Sequence, residues 1–407
     1  MNDLKAQARA FHNPAAAPPN EPYGAQRSQV LNQRGFDAAL AEISSWPGYE
    51  PAPLVRLDGI ARALGLNELW YKDERGRFGL KSFKALGGAY AVANVLRKRV
   101  IEERGVATVT SHQLVAGEFA SVVRATTVTC ATDGNHGRSV AWGAHLFGCR
   151  CVIFVHEHVS QGRRDAIARY GAEVRVVDGN YDDAVRQVAT TAAANGWTVV
   201  SDTSYPGYRD IPLDVMHGYG VMAAEIVREL PQGEPPTHVF VQAGVGALAA
   251  AICAYFWLHW GERRPSLIVV EPTRADCFYQ SVVAGHPVVV GGNLETVMAG
   301  LACGEVSELA WEILHAGATA TIAIDDAYAL EAVRALANPV SGDAPIVAGE
   351  TGGTGLAALL AARDYPEIRE TLALDHNAGV LLLGSEGDTD PVIYRALVGR
   401  SAEEVLA

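Results

Sequence analysis

Short runs of β-branched and aliphatic residues alternate along this chain with stretches whose apolar positions recur at helical spacing. Residues 151–155 read as a buried strand, 162–170 as a helix, 173–177 as a strand, 182–194 as a helix and 197–200 as a further strand. After Asp214 the pattern restarts with a helix at 221–230, a strand at 239–242, an apolar helix at 245–258 and a strand at 267–270. A strand at 320–324, helices at 329–337 and 355–362 and a strand at 380–383 follow. Strands and helices in this order predict helices packed on largely parallel sheets, an α/β fold. The restart after Asp214 predicts two lobes, and a length of 407 residues exceeds what one ordinary core holds.

Composition narrows the class of function. An apolar fraction of 49% fills two cores, and a formal charge of -13 with no Lys/Arg cluster among aromatics argues against nucleic acid as a partner. Charges at Asp3, Lys5 and Arg9 and the Ala/Pro stretch 15–19 leave no apolar segment for an export signal. The apolar run 245–258 spans about 14 residues, the length of a buried core helix rather than a membrane span. A cytoplasmic enzyme acting on a small molecule is the expectation. The six cysteines form no C-x-x-C pair, so neither a metal site nor a local disulfide is encoded. Cys277 and Cys303 fall on polar segments read as loops, and their pairing stays open.

Three segments carry candidate chemistry. Gly244-Val245-Gly246-Ala247 follows a strand and opens a helix, and the next strand ends in Glu271. That spacing fits a dinucleotide site, hence a nicotinamide-dependent oxidoreductase, but also a single phosphate ester at a helix N-terminus or a tight turn without ligand. Gly134-Asn135-His136-Gly137 joins a strand at 126–131 to a helix at 140–147, where backbone amides suit a substrate carboxylate. There Asn135 offers an amide for a phenolic oxygen, and His136 is either a polar contact or a helix-cap residue. Asp133 is either a cap or an acid/base group, and Asp202 is either an Asx-turn or a carboxylate for a substrate ammonium. Lys84, taken alone, reads as a snorkelling lysine beyond an apolar run.

Taken together, the segment 79–88 containing Phe83-Lys84, the segment 131–137, Asp202-Thr203 before Gly207-Tyr208, the segments 242–247 and 298–305, and Glu386-Gly387-Asp388-Thr389-Asp390 resemble the diaminopropionate ammonia-lyases. These belong to the fold type II, tryptophan synthase β-like pyridoxal-phosphate enzymes. The resemblance runs from about residue 40 to near the end of the chain, the extent of whole domains rather than of one motif.

It implies a two-domain enzyme, each domain a mostly parallel twisted sheet flanked by helices, with 1–88 and 215–407 as the larger cofactor domain and 89–214 as the smaller domain. It implies Lys84 as the lysine joined to pyridoxal 5'-phosphate, Gly244, Val245, Gly246 and Ala247 around the phosphate, and Asn135 at the ring. Ser385 is the hydroxyl for the ring nitrogen, although alignment with tryptophan synthase β puts that position on Gly384. Thr132, Asp133, Gly134, Asn135, His136 and Asp202 would hold an amino-acid substrate. The implied reaction is α,β-elimination from 2,3-diaminopropionate to pyruvate and ammonia. Lys84 would deprotonate the L isomer and Asp133 the D isomer, because two bases on opposite faces of a planar centre each reach one configuration. Asp133 replaces the small polar residue usual in the serine/threonine dehydratases, the alternative activity. A non-catalytic ligand-binding relative is a more distant one. A homodimer with no metal completes the expectation.

Overall fold

The computed structural model describes residues 7–132, 134–179, 181–339 and 342–407. Among them eleven strands carry the fold: β1 (Ala8–His12), β2 (Leu54–Arg56), β3 (Glu68–Asp73), β4 (Thr127–Ala131), β5 (Arg150–His156), β6 (Glu173–Val177), β7 (Thr198–Val199), β8 (His238–Gln242), β9 (Ser266–Pro272), β10 (Ala320–Ile324) and β11 (Gly379–Gly384). The chain divides into two compact units, one made of the chain up to Gln33 with Pro51–Ser82 and Met222–Ala407, the other of Arg34–Glu50 and Phe83–Val221.

The first unit holds a sheet in the order β1-β10-β9-β8-β11-β3-β2. The neighbours from β10 to β3 run parallel, and β1 and β2 close the two edges antiparallel. Parallel strands covered by helices on both faces should be apolar throughout, and β8, β10 and β11 are buried along their whole length. A continuous core runs through Leu57, Phe240, Ile268, Ile322, Leu356 and Leu382. The helix Ala247–Trp260 is buried almost all round, as its composition requires. Among the described residues no helix is long and apolar enough to cross a membrane.

The second unit is built on four parallel strands in the order β6-β5-β4-β7. Val152 and Phe154 of β5 pack with Val188 of the helix Tyr181–Asn195. The helices Ala85–Arg104 and Asn135–Phe147 pack against each other through small residues. A Cβ on Gly88 would lie 2.0 Å from Ser139 Oγ, and one on Gly143 would lie 2.8 Å from Ala89 Cα. Glycine here is a condition of the approach between two backbones.

The strands expected at 173–177 and 320–324 have those bounds. Other expectations shift for physical reasons. Val245 precedes its helix, because Gly246 takes a left-handed φ of 91° as the N-cap and only Ala247 begins the helical turn. Cys277, itself buried, opens the helix Cys277–Ala284 instead of lying in a loop, and all six cysteines are thiols. β3 escaped the hydrophobic pattern because Lys72 and Asp73, buried on it, look like surface residues in sequence. The expected partition at Gly88 and Asp214 also differs from these units. Residues 83–88 go with the second unit because Ala85–Arg104 is one uninterrupted helix. Residues 34–50 join it because Phe36 fills the space over Gly220 and the His217 ring sits over Gly35.

Candidate active site

In the second unit, Lys84 occupies the N-cap of the helix Ala85–Arg104. Its Nζ donates to Asp202 Oδ2 at 2.6 Å, with both side chains four-fifths buried. The rings of Phe83 and Tyr219 lie 4.7 Å apart, with their centroids 5.4 and 5.7 Å from that nitrogen. Asp202 follows β7, whose extension is pinned by Val200 N donating to Thr129 O. Tyr208 holds the next residue, its hydroxyl accepting from Ser201 N and donating to Val199 O. Burial pushes the Asp202 carboxyl up, but the Lys84 ammonium and then His136 more than offset this and hold it well below the usual carboxylate range. The local side-chain turn is made by Ser201 Oγ, which accepts from Thr203 N. The Asp202 carboxylate is turned to Lys84.

His136 lies on the same group. Its Nε2 meets Val200 O at 2.8 Å, and a carbonyl only accepts, so this nitrogen carries the hydrogen. Its Nδ1 is 3.7 Å from Asp202 Oδ2. His136 is therefore more than a helix cap. Thr132 Oγ1 accepts from Gly134 N and Gly137 N, both at 3.0 Å, so two of the amides expected to meet a substrate carboxylate are engaged within the loop. Asn135 Oδ1 accepts from Arg138 Nη2 at 2.7 Å, which turns the amide so that Nδ2 is its donor end. Asp133 lies outside the described residues. Lys84, His136 and Asp202 are thus brought together, with Thr132 on the loop leading into the helix that carries His136 and Asn135 at that helix's first position.

In the first unit, a Cβ on Gly244 would come within 2.9 Å of Cys303 Sγ and 3.0 Å of Gly300 O. Val245 O accepts from Ser307 N. The loop delivers the chain to the N-terminus of a 14-residue helix, whose first-turn N–H groups have no partner within the helix. The acid that a dinucleotide site would need is used otherwise. Glu271 is fully buried and accepts from Phe278 N at 2.8 Å and Tyr279 N at 2.7 Å, capping the helix Cys277–Ala284. Burial pushes its pKa up to about 8 against those two bonds. Two residues after β8 comes Gly244, and just beyond β11 comes Ser385, whose Oγ is 2.6 Å from Gln242 Nε2. A Cβ on Gly384 would strike the Tyr71 ring at 2.2 Å, so the polar side chain available at this turn is that of Ser385.

Residues 45–374 match the family described as pyridoxal-phosphate dependent enzymes. The diaminopropionate ammonia-lyase of Escherichia coli (strain K12) is 41% identical over 383 residues, 93% of this chain and 95% of that one, and that of Salmonella typhimurium is 38% identical over 92% and 94%. The chain belongs to this family. A crystal structure of the holo Escherichia coli diaminopropionate ammonia lyase superposes with a TM-score of 0.88 at 39% identity, covering 98% of both chains. The threonine deaminase isoform 2 of Solanum lycopersicum, 20% identical, with coverage of 95% and 99% and a TM-score of 0.68, shares the fold.

The residues fit the cofactor on their own chemistry. Taken unit by unit, the second offers a primary amine at Lys84, chemistry suited to an aldehyde, and the first a glycine turn at a helix N-terminus and a buried hydroxyl at Ser385, chemistry suited to a phosphate and a ring nitrogen. Arg138 and Tyr219 went unread in the sequence, and Gln242 and Tyr208 stood there only as parts of motifs, without a role. Arg138 had a signal, standing three positions after Asn135 on one helical face; Tyr219 meets Lys84 across a distance that no local pattern records.

The raised pKa of Glu271 makes a testable demand. The folded state retains a proton that the unfolded chain releases from about pH 4.5, so this group's contribution to stability declines as pH rises from there through about 8. In urea unfolding, Glu271→Gln should lose less stability than the parent between pH 5 and pH 8. Parallel pH profiles for the two proteins would refute the assignment.

Proposed function

We propose that this chain is a diaminopropionate ammonia-lyase that eliminates ammonia from 2,3-diaminopropionate and, with one water consumed in hydrolysis, gives pyruvate and a second ammonia, with Lys84 as the cofactor lysine. The observation that supports this most directly is the Lys84 ammonium held on an ionised Asp202 beside His136. Pyridoxal phosphate, when bound, supplies the electron sink that makes the substrate Cα–H acidic and lets the β-substituent leave. The protein's task is to bind, orient and move protons.

Lys84 is the nitrogen that would attach the cofactor and the base for Cα of the L isomer. Asp133 serves the D isomer from the opposite face. Gly244 to Ala247 receive the phosphate through backbone donors, Asn135 Nδ2 addresses the phenolic oxygen, and Ser385 the ring nitrogen. Asp202 already binds one primary ammonium, that of Lys84, and the distal ammonium of diaminopropionate presents the same chemistry. Serine presents an uncharged hydroxyl instead. Asp202 therefore favours the diamine over the hydroxy acid. A homodimer in the cytoplasm is the form of this reading, and light scattering at twice the chain mass is its expected signature.

Borohydride reduction of the holoenzyme followed by peptide mapping should place the pyridoxyl label on Lys84, and a label on Lys72 or Lys81 would overturn the assignment. Asp202→Asn should lower kcat/KM for diaminopropionate about 10- to 150-fold more than for serine, the scale of a hydrogen bond to a charged group. Equal losses on both substrates would remove Asp202 from recognition of the distal ammonium. Asp133→Asn at saturating cofactor should suppress elimination from the D isomer roughly 10²–10⁴-fold while sparing the L isomer. Parental activity on D-diaminopropionate would exclude Asp133 as that base.

A further inference from the structure

Gln242, the last residue of β8, is a buried amide with a lopsided set of partners. Its Nε2 lies 3.0 Å from Thr351 O, 2.8 Å from Leu383 O and 2.6 Å from Ser385 Oγ. Its Oε1 has no hydrogen-bond partner among the described residues. Two of the three oxygens around Nε2 are main-chain carbonyls, which only accept, so the nitrogen end of the amide is fixed at that side. An amide nitrogen donates and does not accept. Nε2 has two hydrogens for three oxygens, so one of them is shared, and Ser385 Oγ, facing a nitrogen that cannot accept, meets Gln242 as an acceptor with its own hydrogen directed elsewhere.

That polarity decides what Ser385 offers a ligand. A hydroxyl is by itself indifferent, donating to an unprotonated ring nitrogen or accepting from a protonated one. With an acceptor lone pair committed to Gln242 and the residue 2% exposed, the hydrogen needs an acceptor, since a buried unpaired donor is costly. We propose that Gln242 is a positioning residue which polarises Ser385 as a hydrogen-bond donor to the cofactor's ring nitrogen and thereby keeps that nitrogen unprotonated. This rests on the reading of Ser385 given above.

The ring nitrogen can be observed directly in the holoenzyme loaded with ¹⁵N-labelled pyridoxal phosphate. In the parent its NMR shift should be that of an unprotonated pyridine and constant between pH 6 and 9; a pyridinium shift there would overturn the proposal without any variant. Gln242→Met should weaken cofactor binding roughly tenfold, the scale of a hydrogen bond, and make the nitrogen shift pH-dependent. In a Ser385→Ala background the same substitution should change the dissociation constant less than twofold, because the two side chains act as one unit. A folded Gln242→Met holoenzyme with parental affinity and parental shift would refute the role of Gln242. An unchanged ring-nitrogen shift in Ser385→Ala would instead show that Ser385 does not face that nitrogen, removing the reading beneath it.

Discussion

Two charges, each four-fifths buried and 2.6 Å apart, set the terms for the second unit. An ammonium and a carboxylate shielded from water are tolerable only as a pair, because either alone carries a desolvation cost of several kcal/mol. The surrounding chain is arranged to hold the pair. Lys84 stands at the start of a helix whose glycines allow a close approach to the helix bearing His136, and His136 in turn is tied to the carbonyl just before Asp202's turn. Tyr208 fastens the same stretch from the other side. The Lys84 ammonium is thus held by its counter-charge, and the counter-charge by the strand end that presents it.

In the first unit the corresponding difficulty is backbone strain. Between Arg77 and Ser82 the chain passes through positive φ at Phe78 (49°), Gly79 (70°) and Lys81 (58°), a cost of order 1–3 kcal/mol at each non-glycine position. Side chains on both sides fasten it. Arg77 makes paired hydrogen bonds to Glu74 and to Glu225, with Lys72 on Glu225 and Glu229, all but Glu229 essentially without solvent exposure. At the far end Lys81 binds Asp388, and its carbonyl accepts from Gly387 N. The Glu-Gly-Asp stretch that looks like a family signature is, physically, an anchor for this turn.

The same feature explains what the sequence could and could not disclose. Elements whose exterior is apolar, such as β10 and the helix Ala247–Trp260, announce themselves as unbroken apolar runs. β3 does not, because Lys72 is buried in that ion network and Asp73 beside Arg75, and charge in a sequence reads as surface. Lys84 was visible as a candidate only through resemblance, and Asp202 stood undecided between an Asx-turn and a substrate contact, since their pairing spans more than a hundred residues and leaves no local mark. His136 was undecided for the opposite reason: its local position suits a cap, and only the carbonyl at Val200 shows that its ring is turned towards Asp202.

Glycine-rich turns illustrate how far a motif can be pressed. Gly244-Val245-Gly246 before a helix states that an anion can approach backbone amides, and nothing in its spacing tells a dinucleotide from a single phosphate. The distinction lies in where the neighbouring acid spends its hydrogen bonds. Glu271 gives both carboxylate oxygens to the amides of another helix and sits where water does not reach, so it has nothing left for a ribose. A motif therefore fixes the chemistry of its own backbone, while the identity of the ligand is set by the hydrogen-bond accounting of residues around it. The same accounting, applied to Gln242 and Ser385, turns an ambiguous hydroxyl into a directed donor.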